Sequence, residues 1–540
     1  MASLIHPSGL LAPLLIGWTL VACTGSPDAP RTGPSDSPSP ETSSPPTGAV
    51  EAPDLVVDTW TGAWHDVTDV ALGPTANYTN RLEAADIDTD GDVDLLFANG
   101  GDYDEPGTPV ANAVFLNDGT GGFTDASTEV FGDAVGITRV IKVADVNTDS
   151  VPDIVVGTTY QTQSRLYLGD GDGGWRDATA TNLPSRRLSV GDLELGDVDT
   201  DGDLDLVLAD WGPGSPMHNQ GGAVALWLND GSGRFTDATG ARMPPAMIGF
   251  SWDLELVDTD NDWDLDIAVS CKMCPTSRLY ENDGRGRFTD VTADGMPHFT
   301  NNYDFTALDL DADGYLDLVT VNDGEDTGLG LAEHVFRNGS GRGYVDATDE
   351  WCPAGIGQAN AGWDDAVETA LDVESDGDVD FLVASLDGPD RILVNDGSGA
   401  LTVSNSVFDG TPTRGTLDFA VADLNGDRRL DVVEAQGEVE GYEDERVYLA
   451  TELVPPDTAP PVIRAELADG QVLARVHDNR TPNLPHDWRS IVVRSSGSDV
   501  PMDWYGENLF RAEVPAAAGG LQVCATDAAG NEACAPVSSS

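Results

Sequence analysis

Short apolar runs, with polar residues interleaved, recur from about residue 60 to 450, and acidic loops interrupt them at regular intervals. Phe305-Thr306-Ala307-Leu308 and Leu318-Val319-Thr320-Val321 flank one such loop and predict two strands joined by it. A third run, as in Ala225-Leu226-Trp227-Leu228, leads into the turn Asn229-Asp230-Gly231-Ser232-Gly233 and then a fourth strand, Phe235-Thr236-Asp237-Ala238. Asn, Asp and Gly at such tips accept the positive φ angles of tight hairpins. Six of the seven units end in this way.

The loops share one pattern. Position one is Asp86, Asp145, Asp197, Asp258, Asp309, Asp372 and Asp423. Position three is Asp88, Asn147, Asp199, Asp260, Asp311, Glu374 and Asn425, and position five is Asp90, Asp149, Asp201, Asp262, Asp313, Asp376 and Asp427. Position nine, at the start of the next strand, is Asp94, Asp153, Asp205, Asp266, Asp317, Asp380 and Asp431. Calcium takes six to eight oxygen ligands, and carboxylates on alternate residues of a tight loop can all turn toward one ion. Position nine is expected to bind through both oxygens. Position seven varies (Asp92, Val151, Asp203, Asp264, Tyr315, Asp378 and Arg429), which suits a backbone carbonyl ligand. Position six should relieve a tight turn and is Gly in loops one, three, five and six; Ser150, Trp263 and Arg428 replace it in loops two, four and seven, where weaker binding is expected. Aspartate also favours turns without any metal, but that does not account for seven recurrences at one spacing.

Four antiparallel strands in about 50 residues is the size of a propeller blade. The units resemble the FG-GAP or VCBS-type repeats of integrin α-chain propellers and many bacterial surface proteins. That resemblance implies a calcium ion, up to seven in all, in each loop that fits the pattern, on one face of the propeller. The fold expected is all-β: a seven-bladed β-propeller over residues 54–454, a Pro-rich linker at 455–461 and a small β-sandwich at 462–540. The seventh unit lacks a fourth strand after Arg446-Val447-Tyr448-Leu449, whereas Gly62-Ala63-Trp64-His65-Asp66-Val67-Thr68 matches Gly286 to Thr292. That N-terminal strand is expected to complete the seventh blade and remove an open edge. Ala525-Thr526-Asp527-Ala528-Ala529-Gly530-Asn531 in the last segment resembles immunoglobulin-like or fibronectin-like modules.

Charge strengthens the case for a cation. The 540 residues carry a formal net charge of −67, enough for acidic groups to destabilise a compact state unless something neutralises them. With only two lysines, Lys142 and Lys272, nucleic acid is excluded as a partner. The apolar stretch Leu10 to Val21 is too short to span a membrane and reads as a signal peptide, residues 1–22. It ends in Leu20-Val21-Ala22-Cys23, which resembles the lipobox of bacterial lipoproteins, although His6 stands where a Lys or Arg is usual. Cys23 is therefore the expected lipidation site and the only membrane attachment, followed by a Pro/Ser/Thr tether to residue 53. Cys524 and Cys534 flank a turn and can pair; Cys271, Cys274 and Cys352 leave one pairing open.

The connections from second to third strand are long at 99–112, 210–223 and 322–332. With the connection between units five and six, they place Tyr103, Trp211, His218, Trp351 and Trp363 on the face opposite the loops, where aromatics and amides suit a glycan or a protein. A second acidic set (Glu83, Asp192, Glu194, Asp253, Glu255, Asp304 and Asp418) either lines a central channel or bonds one unit to the next. The function expected is a monomeric, cell-envelope binding or adhesion scaffold. The alternatives are a lyase-like carbohydrate-active enzyme, for which no nucleophile and base motif is present, and a purely structural envelope protein.

Overall fold

The computed structural model describes residues 60–539, except 102–104, 216–217, 220, 273, 299–301, 312, 323–333, 340, 349–364, 387, 396–400, 410–414, 438–443, 469, 479, 482–486, 496–498 and 515–519. The segments expected to be a signal peptide and a tether, with Cys23, and the residues Tyr103, Trp351, Cys352 and Trp363 lie outside the described residues. The protein is all-β, built largely from four-stranded antiparallel sheets with a few single-turn helices, consistent with a β-propeller. Among the described residues no helix is long and apolar enough to cross a membrane.

Unit three shows the plan. Val190–Gly196 pairs with Asp205–Asp210 across the acidic loop, then come Ala223–Leu228 and the short Thr236–Asp237. The second strand is buried along its whole length, so both of its faces carry apolar side chains, here Leu206, Val207, Leu208 and Ala209. Apolar clusters between neighbouring sheets account for this. Val155 and Leu166 of unit two pack with Leu193, Leu206 and Trp227 of unit three, and Leu95, Phe97 and Phe115 of unit one pack with Leu424, Val433 and Val447 of unit seven. Burial of this apolar surface is the main favourable term holding sheet to sheet.

The N-terminal strand lies where its sequence match places it. Trp64–Asp66 pairs antiparallel with Arg446–Ala450, in the register Trp64 to Ala450 and Asp66 to Tyr448. Trp64 is fully buried, donates from its indole N–H to the carbonyl of Leu430 at 2.8 Å and stands 5.5 Å from the Phe408 ring.

A short element not read from the sequence follows the fourth strands. Asp237 accepts from the N–H of Thr239, whose hydroxyl in turn accepts from the N–H of Leu226 at 3.1 Å. The same device recurs at Asp177 and Thr179 and at Asp290 and Thr292, and single helical turns begin at these threonines.

Residues 462–540 form two sheets around one apolar cluster that includes Val472, Val493, Phe510 and Val523. Cys524 and Cys534 are cross-strand neighbours joined by a disulfide, and Cys271 is joined to Cys274. This segment seats on the acidic-loop side of the repeats. Tyr505, at a hairpin tip, is buried among residues of units three and four, accepts from the N–H of Asp197 at 2.8 Å and donates its hydroxyl to the carbonyl of Trp263 at 3.1 Å. Arg480–Thr481 adds to the sheet of unit six beside Asp365–Leu371. The 455–461 connection is itself held, with the N–H of Asp457 on the carbonyl of Arg428 at 2.6 Å.

Trp64→Ala removes a fully buried ring from the joint between the first and last strands of the repeat region. Urea denaturation is expected to show a loss of about 3–5 kcal/mol, as for other large-to-small core changes; an unchanged midpoint would refute a structural role for this strand.

Candidate metal loops and the central cavity

Each acidic loop is first a self-contained hydrogen-bonded turn. The position-one carboxylate accepts two backbone N–H groups: in loop three Asp197 takes those of Asp201 at 3.1 Å and Gly202 at 2.9 Å, and in loop six Asp372 takes those of Asp376 and Gly377. Folding the chain this tightly puts position six at positive φ in all seven loops, whether it is Gly91 (98°), Gly202 (106°), Gly314 (94°) and Gly377 (95°) or Ser150 (66°), Trp263 (72°) and Arg428 (68°). Position four shares the left-handed conformation at Thr89, Thr148, Thr200, Asn261, Ser375 and Gly426, a requirement the sequence pattern does not betray. Non-glycine residues in this region carry strain of order 1 kcal/mol or more, which falls on loops two, four and seven at position six.

The position-nine aspartates are buried, and in six of the seven loops their two oxygens accept one backbone N–H from the loop and one from the end of the third strand, while among the described residues Asp205 accepts only that of Asn229. Asp94 accepts from Ile87 at 3.0 Å and Asn117 at 2.8 Å, Asp317 from Leu310 at 3.1 Å and Asn338 at 2.7 Å, and Asp380 from Val373 and Asn395, both at 2.8 Å. Each therefore ties its own loop to the third strand of its sheet. Burial pushes these carboxyls up, Asp94 to about 7, Asp205 to about 8 and Asp380 to about 9. A cation beside them would favour the charged form.

Side-chain oxygens converge in loops one, three, four and five. Those of Asp86, Asp88 and Asp94 lie within 4.8 Å of one another, as do those of Asp197, Asp199 and Asp205, of Asp258, Asp260 and Asp262, and of Asp309, Asp311 and Asp317. Three such oxygens, with the remaining carboxylate and the position-seven carbonyl, fit the donor set of a hard divalent cation. The position-seven side chains of Asp92 and Asp203 stand against Gly119 and Gly231 in the hairpin turns, leaving only their carbonyls for the loop interior. Loops two and seven differ: the amide of Asn147 donates to Asp153 at 3.0 Å and that of Asn425 to Asp431 at 3.2 Å, so an N–H sits where a carboxylate stands elsewhere.

Among the described residues arginines reach four of the loops. Arg475 bonds Asp258 at 2.9 Å with both side chains buried, Arg511 bonds Asp197, Arg429 lies 3.5 Å from Asp427, and Arg337 lies 3.7 Å from Asp311. The first two come from the C-terminal sheets and make loops three and four part of the docking surface. Sequence periodicity carries no sign of them, because the partner belongs to a different segment of the chain.

The second acidic set meets at the centre. Asp418 accepts from the N–H of Leu82 at 2.8 Å, Asp192 from Leu254 at 3.0 Å, Asp253 from Phe305 at 3.1 Å and Asp304 from Glu368 at 3.1 Å, each reaching from one unit to the next. Interunit bonding is thus one of their roles. They also line a cavity of about 150 Å³ with Glu83, Glu194, Glu255, Glu368 and Glu507, the last delivered by the same C-terminal hairpin tip. Two cations enter this space: Arg81 lies 3.3 Å from Asp304, 3.4 Å from Asp418 and 3.7 Å from Asp253, and Lys142 lies 2.6 Å from Glu194. Desolvation pushes Glu83 and Glu194 up to about 7 and Glu507 to about 8 despite these partners.

The FG-GAP-like repeat family matches residues 86–156, 145–208, 274–320 and 372–434. The chain carries FG-GAP-like repeats. The fourth loop, with Trp263 in place of glycine, falls between the matched segments. Among solved structures the chain is similar to the V. cholerae biofilm matrix protein Bap1, at 12% identity over 89% of this chain and 76% of that one with a TM-score of 0.35. It is also similar to a Lactobacillus plantarum protein, at 12% identity over 60% and 83% with a TM-score of 0.39. No curated protein matches the sequence.

On the opposite face one expectation is corrected. Trp211, offered by its sequence position as an exposed ligand contact, is fully buried, edge-on to Tyr160 at 6.4 Å and Phe250 at 6.3 Å, with Arg139 5.7 Å from its ring. It packs with Trp252 and Tyr303 around Phe250, because a ring of that size gains more from burial than from exposure. His218, by contrast, is exposed.

Asp380→Ala strips both acceptors from two buried N–H groups and should cost roughly 2–5 kcal/mol even in chelator. Asp88→Ala, at an exposed position, should leave chelator-treated stability within about 0.5 kcal/mol and reduce only metal affinity. Paired urea titrations with and without calcium separate the two.

Proposed function

We propose that this protein is a calcium-stabilised, seven-bladed β-propeller that serves as an adhesion or binding scaffold on a bacterial cell envelope, anchored through a lipid on Cys23. The carrying observation is the loop itself: turns of one construction, at least four of them with convergent carboxylate oxygens among the described residues, in FG-GAP-like repeats. The seven repeat sheets are the blades, and Trp64–Asp66 closes the ring. Residues 462–540 are an immunoglobulin-like sandwich resting on the calcium face. The partner is a glycan or protein, and because the C-terminal sheets sit on the loop side, the broad surface left for it is the opposite face, where His218 is exposed.

The loops would hold calcium through positions one, three, five and nine and the position-seven carbonyl, with no turnover implied. Ions that bind only the folded state stabilise it by about 2.7 kcal/mol per site at a hundredfold excess over Kd. Calorimetric titration of chelator-treated protein with calcium is expected to show several sites, and the melting temperature to rise with calcium and fall in chelator. No binding heat together with an unchanged melting temperature would overturn the proposal. Asn147→Asp, by replacing the amide that donates to Asp153, should tighten calcium binding in loop two about tenfold; calorimetry checks this against the parent.

A further inference from the structure

A cleft of about 1050 Å³ separates acidic loops one to three from the C-terminal sheets. We propose that it binds a neutral oligosaccharide. Its size is at the top of the roughly 300–1,000 Å³ usual for small-ligand sites, which suits several linked sugars better than a single ring.

The two walls are chemically unlike. The repeat side offers carboxylates and hydroxyls, including Asp86, Asp145, Thr148 and Ser150. The facing side offers Trp488, Trp504, Met502 and Phe510. Trp488 is half-buried and edge-on to Phe510 at 6.3 Å, and its indole nitrogen is itself buried, so the ring rather than the N–H meets the cleft. Trp504 is half-buried and held by donation of its N–H to the carbonyl of Glu507 at 2.6 Å, so its ring is already set before any ligand arrives. A wall of rigid rings facing a wall of acceptors matches a sugar, which presents C–H groups on one face and hydroxyls at its edge.

Charge narrows the class. The acidic wall repels a polyanion, since like charges across an interface cost several kcal/mol. A basic peptide answers the carboxylates but meets Arg511, which lines the same cleft and already occupies Asp197. The inference goes beyond the scaffold reading, because it places recognition on the side of the acidic loops.

The test uses the whole purified protein in calcium buffer, titrated separately with cellohexaose, mannohexaose, chitohexaose and hexalysine, read by tryptophan fluorescence and calorimetry. At least one hexasaccharide is expected to bind saturably and change the tryptophan emission. Ser490→Trp places a ring in the cleft from an exposed position and should weaken that binding by at least about tenfold without moving the melting temperature; Trp488→Ala should weaken it comparably, with a lower melting temperature because the ring also packs on Phe510. Val70→Ser, at a residue 91% exposed and outside the cleft, should bind as the parent does. Absence of saturable binding by all three sugars, binding by hexalysine alone, or unchanged affinity in both cleft variants would overturn the inference. The calcium dependence of the melting temperature is measured independently, so failure here leaves the scaffold reading to its own test.

Discussion

A buried carboxylate that accepts one backbone N–H from its loop and one from the end of the third strand is the joint on which six of the seven units are built. Asp94, Asp317 and Asp380 each hold the N–H just after their own loop's first residue and a second N–H at the end of the third strand. Without it the hairpin and the strand that follows would meet through side-chain packing alone, and two main-chain donors would be left dry, an arrangement folded proteins avoid. The same group also faces the loop interior. In a metal-bound loop, structural joint and ion ligand would therefore coincide in one side chain, which would couple the cation to the integrity of the sheet.

The net charge of −67 is met in three separate ways. In the loops, backbone N–H groups converge on the acids and supply partial positive charge. At the centre, carboxylates from successive units bond the next unit's main chain and share Arg81 and Lys142. At the docking surface, Arg475 and Arg511 come from outside the repeats to loops four and three. A chain with two lysines places one of them, Lys142, among the central acids, and buries the other, Lys272, against the Tyr303 ring at 4.3 Å. Scarce positive charge is thus spent inside the molecule.

What was legible in the sequence was whatever repeats. The acidic pattern located the loops, the alternating runs located the strands, and the match of Gly62–Thr68 to Gly286–Thr292 located the strand that pairs with Arg446–Ala450. Position six was readable as a turn because glycine recurs there, whereas position four was not, since Thr89, Thr148 and Thr200 carry no compositional mark of positive φ. Non-repeating features escaped for a physical reason: Arg475, Arg511 and Glu507 act on residues hundreds of positions away, so no local spacing records the contact. Trp211 was misplaced because exposure was inferred from its loop, and a loop that folds back over an aromatic cluster buries its largest side chain.

The loops are alike in backbone and unlike in electrostatics, and the difference bears on which of them most needs an ion. In loops two and seven Asn147 and Asn425 give an N–H to the position-nine carboxylate, so part of the attraction a cation would supply is already present. In loops three and four an arginine guanidinium does similar work at position one. Loop one has neither: its position-three residue is Asp88, and among the described residues no ion pair is drawn to Asp86, Asp88, Asp90 or Asp94. It also has glycine at position six, although Thr89 at position four holds a positive φ of 63°. Loop six shares both features, with Gly377 at position six and, among the described residues, no ion pair to Asp372, Glu374, Asp376 or Asp380, so loops one and six are where a divalent cation gains most from its ligands.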